Sequence, residues 1–140
     1  MKKVFGIFII LVALLLVSGC DNAKVGGKNS IVGAYELYEV QAGSEKWSRK
    51  EWIDLSTMDM ILAVKSDKTL IYTKTYKNSS TNKTETIVEY YTYDDKYLYG
   101  TNNKGTQEGV KYYSYEYKNG LLKLTVIDDN HNSIYIFKQN

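Results

Sequence analysis

The sequence predicts an all-β fold, an eight-stranded antiparallel up-and-down barrel that occupies residues 31–140. Fourteen tyrosines and the absence of proline give a composition that favours pleated, half-buried surfaces. Apolar and aromatic runs alternate with short turn signals, and no segment of helical length intervenes after residue 57. Parallel βαβ units are therefore excluded, and eight consecutive antiparallel strands close most simply into a barrel without exposed edges.

Eight segments carry the strand pattern, and most of the connections between them have the length of a hairpin turn. Asn119-Gly120 is a strong two-residue hairpin signal, and in the segment after it Leu122, Leu124 and Val126 lie on one face. The predicted strands are residues 31–40, 58–64, 69–77, 84–93, 96–101, 110–117, 121–127 and 133–138.

One segment departs from the strand pattern between the first and second predicted strands. Ser48 and Glu51 have the spacing of a capping box, and apolar residues follow them. We therefore expect a short helix near residues 48–56, which places Trp47 and Trp52 at the mouth of the barrel. This helix either packs into the barrel end as a plug or covers a bound ligand as a lid.

The N-terminus combines a short basic region with an apolar run. Lys2 and Lys3 precede residues 4–17, which contain no charged or amide side chain. As a helix this run would be about 21 Å long at ~1.5 Å per residue, which is shorter than the roughly 30 Å hydrocarbon core of a bilayer. The pattern favours a cleaved signal peptide over an uncleaved transmembrane anchor.

The residues Val17-Ser18-Gly19-Cys20 resemble the lipobox of bacterial lipoproteins. The resemblance implies that the Cys20 thiol receives a diacylglycerol and that cleavage removes residues 1–19. Two long acyl chains, at ~0.8 kcal/mol per buried CH₂, attach a protein stably to a bilayer. Residues 20–30 then form a flexible tether, and the lipid on Cys20 holds the domain at the extracytoplasmic side of the cell membrane. Ordinary secretory cleavage, which leaves Cys20 free, is the alternative.

The expected mature chain is electrically neutral. Of the 18 basic side chains two are Lys2 and Lys3, and the remaining 16 equal the 16 acidic ones. Charge therefore gives no reason to expect nucleic acid as a partner. The single cysteine excludes an intramolecular disulfide, so stability must come from packing and hydrogen bonds.

Three patterns are similar to the lipocalin-like domains of bacterial lipoproteins. Gly33-Ala34-Tyr35 resembles the Gly-x-Trp signature of lipocalins with Tyr in place of Trp. Residues 62–70 resemble a hairpin of those domains, and residues 135–138 resemble their terminal strand. The resemblance implies a barrel that holds a small apolar or amphipathic molecule. The candidate ligand-lining residues are aromatic or apolar: Tyr35, Trp47, Trp52, Met60 and Leu62.

The residues that common catalytic and metal sites require are missing from the sequence. Nucleophilic catalysis needs a histidine beside the nucleophile, but the single histidine, His131, lies in a predicted turn. One histidine and one cysteine are too few for a zinc site. A calcium-loop spacing that begins at Asp128 fails at Ser133 and Gln139. We therefore expect no enzyme, no cofactor and no metal.

Tyrosines concentrate in residues 90–99 and 110–117, where Tyr113, Tyr115 and Tyr117 share one face. Cross-strand aromatic pairing explains this concentration without any function. The alternative is a protein-interaction or hydrolase-inhibitor module that binds an envelope protein through a tyrosine-rich outer surface. A filled barrel would favour this alternative, whereas a cavity of roughly 300–1,000 Å³ would favour a ligand.

Overall fold

The computed structural model describes residues 30–103 and 106–140, which form nine β-strands and one α-helix. The predicted signal peptide, Cys20 and the tether up to residue 29 lie outside these residues. No helix of the described ranges is long and apolar enough to cross a bilayer. The elements are β1 (Gly33–Ala42), β2 (Glu45–Ser48), α1 (Arg49–Ser56), β3 (Met58–Val64), β4 (Thr69–Lys77), β5 (Thr84–Tyr93), β6 (Tyr97–Gly100), β7 (Lys111–Lys118), β8 (Leu121–Val126) and β9 (Ile134–Gln139).

Eight of the strands close into the antiparallel up-and-down barrel that the sequence predicts. The strands pair in the order β1-β3-β4-β5-β6-β7-β8-β9, and β1 pairs with β9 to close the sheet. The closing pair runs from Tyr35 opposite Gln139 to Gln41 opposite Ile134. Because every barrel strand has a neighbour on both sides, the all-β fold and its topology are confirmed.

β2 is an additional strand that the sequence analysis did not predict. It pairs with the second half of β1, where Glu39 lies opposite Ser48, whereas β3 pairs only with the first half, up to Glu36 opposite Ile61. The two strands β1 and β3 therefore diverge, and β2 pairs with the second half of that edge of β1, where β3 is no longer a neighbour. Gly43-Ser44, in which Gly43 has φ +60°, joins β1 to β2 and is the hairpin signal that could have revealed it.

The helix α1 confirms the predicted helix, although it follows β2 rather than the first strand directly. Both bonds of the capping box are present: Ser48 Oγ accepts from the backbone N–H of Glu51 at 3.3 Å, and Glu51 Oε2 accepts from that of Ser48 at 2.8 Å. The helix ends at Thr57, whose left-handed φ of 59° terminates the hydrogen-bond ladder. Local capping at both termini thus sets the length of α1.

The barrel has two different ends. Residues 30–32 lead into β1 at one end, which we call the N-terminal end. There Tyr35 donates to the carbonyl of Ile31 at 2.5 Å, and Tyr93 donates to that of Lys65 at 2.7 Å. The side-chain amide of Gln139 donates to two carbonyls of the segment before β1. Aromatic rings therefore fill this end, and their hydroxyls reach the polar backbone at its rim. β2, α1 and the start of β3 lie at the other end, which we call the helix end.

The barrel interior is a packed core. Nine of the 14 tyrosines belong to this core or pack against it. The rings of Tyr72, Tyr113 and Phe137 meet edge to face, with centroids 5.7 to 6.1 Å apart. The fully or largely buried members are Tyr35, Leu37, Val40, Met60, Leu62, Val64, Leu70, Tyr72, Tyr91, Tyr93, Leu98, Tyr113, Leu122, Leu124 and Phe137. Aromatic burial thus provides much of the hydrophobic stabilisation that this disulfide-free domain needs.

The turn between β5 and β6 is organised by the carboxylate of Asp94. Its Oδ1 accepts from the backbone N–H groups of Lys96 and Tyr97 at 2.8 Å each, and its Oδ2 accepts from the hydroxyl of Tyr99 at 2.6 Å. The Tyr99 hydroxyl and these N–H groups lower the pKa of Asp94 to about 2.

Domain stability should therefore depend on Asp94 at acidic pH. The folded-state pKa lies below the unfolded value of ~3.9, so the contribution of Asp94 is present above about pH 4 and is lost as the pH falls towards about 2. Asp94→Asn should weaken the pH dependence of the thermal unfolding midpoint in this window, and Tyr99→Phe should weaken it partly. An identical pH dependence in wild type and Asp94→Asn would contradict this assignment.

Candidate functional site

The structure separates the five predicted ligand-lining residues into two groups. Tyr35, Met60 and Leu62 lie in the packed core, where each is at most 2% exposed. Trp47 and Trp52 lie at the helix end, partly buried against the core, with ring centroids 5.7 Å apart. The structure therefore brings the two tryptophans together at an end of the barrel and places the other three deeper in its lumen.

Strand register explains the position of the aromatic side chains at the helix end. Trp47 on β2 lies opposite Val40 on β1, and Val40 lies opposite Tyr135 on β9. Val40 belongs to the core, so the three side chains form one row that faces the lumen. Trp52 from α1 packs edge-on against Tyr135, with centroids 6.5 Å apart. The indole Nε1 of Trp52 is a buried donor that has no acceptor among the described residues.

A lysine and a glutamate also face the lumen. Lys74 on β4 lies two residues from the buried Tyr72, and Glu89 on β5 lies two residues from the buried Tyr91, so alternation places all four side chains on the inner face. Lys74 Nζ is 2.9 Å from Glu89 Oε1 and 4.8 Å from the ring centroid of Tyr72. The two charged side chains are 23% and 17% exposed, which shows that solvent reaches this part of the lumen.

The sequence analysis missed the Lys74–Glu89 pair, although the sequence contains a signal for it. Glu89 stands on the same face as Tyr91 and Tyr93, at a position where an alternating strand would normally carry an apolar residue. Lys74 breaks the inner face of β4 in the same way. A charged residue at the inner position of each of two neighbouring strands predicts a lumenal ion pair, because isolated charges are rarely buried.

The tyrosine hydroxyls around this pair remain protonated donors. Burial is the main factor that raises the pKa of Tyr72, Tyr91 and Tyr113, and the Glu89 carboxylate raises all three further. Tyr135 also raises the pKa of Tyr72 and of Tyr113. The lumen at the helix end therefore combines aromatic walls with a neutral ion pair and several hydroxyl groups.

Arg49 attaches α1 to the point where β1 and β3 diverge. Its Nε and Nη2 donate to the two carboxylate oxygens of Asp59 on β3 at 3.1 and 2.6 Å, and its Nη1 donates to Glu36 on β1 at 3.1 Å. The hydrogen bonds to Asp59 raise the pKa of Arg49. Because Trp52 lies one turn further along α1, this bidentate pair also positions the aromatic wall of the site.

The shared face of Tyr113, Tyr115 and Tyr117 is confirmed, but it is the lumenal face and not part of an outer surface. Tyr113 is buried, and the other two rings pack against the core. Outward-facing tyrosines include Tyr97 and Tyr99, which flank the lumenal Leu98. The expected tyrosine-rich outer surface is therefore smaller than the sequence suggested.

A groove of about 620 Å³ lies beside the turn between β5 and β6, and it is bounded both by the outward-facing Ser114 and Glu116 and by Tyr115 and Tyr117 of the lumenal row. Its volume falls in the range of roughly 300–1,000 Å³ that is typical of small-molecule sites. At its side, Lys111 Nζ lies 4.2 Å from the ring centroid of Tyr97. The groove is lined by Asp95, Lys96, Tyr97, Ser114, Tyr115, Glu116, Tyr117 and Thr125.

The described residues contain no group of three or more His, Cys, Asp or Glu side chains that could hold a metal ion. In the turn before β9, Asp129 accepts from the backbone N–H groups of His131 and Ser133 at 3.1 and 2.8 Å. This carboxylate thus supports the turn. Comparison with protein-family models, curated proteins and solved structures finds no match to this chain, so no relative supplies a function or a ligand.

Proposed function

We propose that this chain is a non-catalytic, membrane-anchored extracytoplasmic lipoprotein that binds a small amphipathic ligand at the helix end of a lipocalin-like barrel. In this proposal Cys20 carries the lipid. The observation that carries the ligand proposal is the Lys74–Glu89 pair, which faces the lumen among aromatic rings and is still reached by solvent. Such a combination of apolar walls and few polar groups is typical of small-molecule sites.

The relative position of the two ends supports an anchored binding protein. The chain enters the barrel at the N-terminal end, where tyrosine rings and residues 30–32 close the lumen. A tether of ten residues would span ~17 Å root-mean-square, at ~5–6 Å times √n. The attachment point is then at the N-terminal end, and the helix end is remote from it and accessible to ligands in the extracytoplasmic space.

The anchor is tested by intact mass spectrometry of the protein extracted from membranes. We expect a chain that begins at Cys20 and carries the added mass of a diacylglycerol, with or without a further acyl group. Cys20→Ser should lose the lipid and accumulate with residues 1–19 still attached. An unmodified Cys20 in the wild-type protein would contradict the lipoprotein assignment.

Ligand binding is tested with the mature chain in unlipidated form, because eight of its strands form a closed barrel with its own core. Trp47 and Trp52 are the two tryptophans of the sequence, so intrinsic fluorescence reports on the helix end. We expect the neutral probe 1-aminoanthracene to change this emission saturably. Tyr135→Leu should weaken binding several-fold, and the matched variant Tyr38→Leu on the exposed outer face should not. Non-saturable emission changes would contradict the proposal.

The groove beside the turn between β5 and β6 and the packed core of the barrel favour a second function, an interaction module or hydrolase inhibitor that binds an envelope protein. The lining of the groove carries both charge signs and tyrosines, which are features of protein interfaces. A photo-crosslinker at Ser114 should then yield one discrete adduct in intact cells. Glu116→Lys should abolish that adduct, whereas Glu45→Lys on β2 should preserve it.

A further inference from the structure

We infer that the Lys74–Glu89 pair selects an uncharged amphiphile with adjacent hydroxyl groups, such as a glycoside of a medium-chain alcohol, in preference to fatty acids and alkylammonium ions. The inference rests on the proposed function, since it names the ligand class of the same site. It follows from the charge balance of the site, from its supply of hydrogen-bond donors and from its aromatic walls.

Charge balance excludes simple ions as good ligands. The ammonium and carboxylate lie 2.9 Å apart and less than a quarter of each side chain is exposed, so the pair neutralises itself within the lumen. Glu85 lies on the same face of β5 nearer the helix end, where its carboxylate accepts from the Tyr76 hydroxyl at 2.6 Å and from the Asn78 amide at 3.0 Å. A carboxylate ligand that binds Lys74 must displace Glu89 and leave it unpaired, and an ammonium ligand leaves Lys74 unpaired in the same way. Unpaired charges in enclosed sites are strongly unfavourable.

Hydroxyl groups avoid this penalty because a single hydroxyl can both donate and accept a hydrogen bond. One hydroxyl can accept from the Lys74 ammonium while its neighbour donates to the Glu89 carboxylate, and the ion pair stays intact. Burial and the Glu89 carboxylate raise the pKa of Tyr91 and of Tyr113, so both hydroxyls stay protonated as donors. The buried indole N–H of Trp52, which has no acceptor in the described ranges, adds one more donor at this end. Oxygen-rich, uncharged groups match this set of partners.

The aromatic walls suit the remaining parts of such a ligand. Trp47 and Trp52 are inclined at 54° to each other, and Trp52 meets Tyr135 at 77°. These rings offer flat apolar area with polar edges, against which the C–H face of a sugar ring and an alkyl chain can pack. A saccharide headgroup on a hydrocarbon chain therefore uses both the polar pair and the rings.

The experiment compares three probes that share an eight-carbon chain: octyl β-D-glucoside, octanoate and octyltrimethylammonium, each below its micelle concentration. The sample is the unlipidated mature chain, and the readout is the saturable change in tryptophan emission. We expect octyl glucoside to bind at least about tenfold more tightly than either ion, a difference of ~1.4 kcal/mol.

Two variants should each create a preference for one of the charged probes. Glu89→Gln leaves Lys74 unpaired and should raise the affinity for octanoate about tenfold, and Lys74→Met should do the same for octyltrimethylammonium. Both variants should lower the affinity for octyl glucoside. A gain of affinity for one ion without a gain for the other would not result from unfolding, because exposed apolar surface would bind both alkyl chains. Glu45→Gln and Lys46→Met, which change exposed charges on β2, are the matched controls and should bind like the wild type.

The outcomes separate this inference from the proposed function. If no probe binds saturably, including 1-aminoanthracene, both the proposed function and the inference are wrong. If the three eight-carbon probes bind equally, ligand binding stands and the inference is overturned. If octanoate affinity is unchanged in Glu89→Gln, the ion pair does not determine the ligand class, and the inference is overturned as well.

Discussion

Replacing Phe137 with alanine is expected to lower the free energy of unfolding by about 3–5 kcal/mol, the usual range for a fully buried phenylalanine. Phe137 has no solvent exposure and lies on β9, opposite Leu37 of β1 and Leu122 of β8. Its ring also meets that of Tyr72 at 87° with centroids 5.7 Å apart. Alanine would leave a cavity at the seam where the barrel closes, and urea unfolding of the mature chain measures the loss.

The matched control for this substitution is the neighbouring residue. Lys138 is exposed, so Lys138→Ala should change the free energy of unfolding by less than about 0.5 kcal/mol. Domains of this size have only about 5–15 kcal/mol of stability, so Phe137→Leu provides a milder variant if the alanine protein does not fold. A loss below about 1 kcal/mol for Phe137→Ala would show that the lumen is not tightly packed at this position.

Arg49→Met is expected to cost about 2–4 kcal/mol of unfolding free energy. The substitution keeps the aliphatic stem but removes both hydrogen bonds to Asp59, whose side chain is only 2% exposed. Removing one partner of a buried pair leaves an uncompensated charge, which typically costs about 3–5 kcal/mol. We take a lower range because Arg49 itself is partly exposed. The bond to Glu36, which is 46% exposed, should contribute less than about 1 kcal/mol.

A double-mutant cycle tests the origin of this loss. Asp59→Leu removes the buried carboxylate, so Arg49→Met combined with Asp59→Leu should be more stable than Arg49→Met alone. Lys50→Met, which changes the adjacent exposed residue of α1, should have little effect in urea unfolding. An Arg49→Met protein as stable as the Lys50→Met protein would show that α1 does not depend on this ion pair.

The parts of the fold that the sequence predicted depend on local signals. The capping box of Ser48 and Glu51 is complete within four residues, so α1 could be placed without knowledge of its neighbours. Asn119 and Gly120 both adopt positive φ, at 52° and 79°, as a type I′ hairpin requires. Alternation in residues 121–127 predicted a shared face for Leu122, Leu124 and Val126, and all three side chains belong to the core or pack against it.

The parts that were missed depend on partners that are distant in sequence. β2 is short and largely polar, and it forms because the divergence of β1 and β3 leaves a free edge on β1. The direction of the Tyr113, Tyr115 and Tyr117 face follows from barrel closure, which periodicity within one strand cannot specify. Lys74 and Glu89 become a site only when β4 and β5 pair. The lipid on Cys20 and residues 1–19 remain predictions, since they lie outside the described residues.

The strand β2 also bears on how the protein behaves at high concentration. Among the described residues it has a neighbour on one side only, so its other side offers backbone N–H and C=O groups to an extended chain. Glu45 and Lys46 on β2 are both exposed. Charged side chains on a short edge strand discourage intermolecular sheet growth, because a second copy would place them against each other and bury them. These two surface charges should therefore oppose aggregation of this tyrosine-rich chain at high concentration.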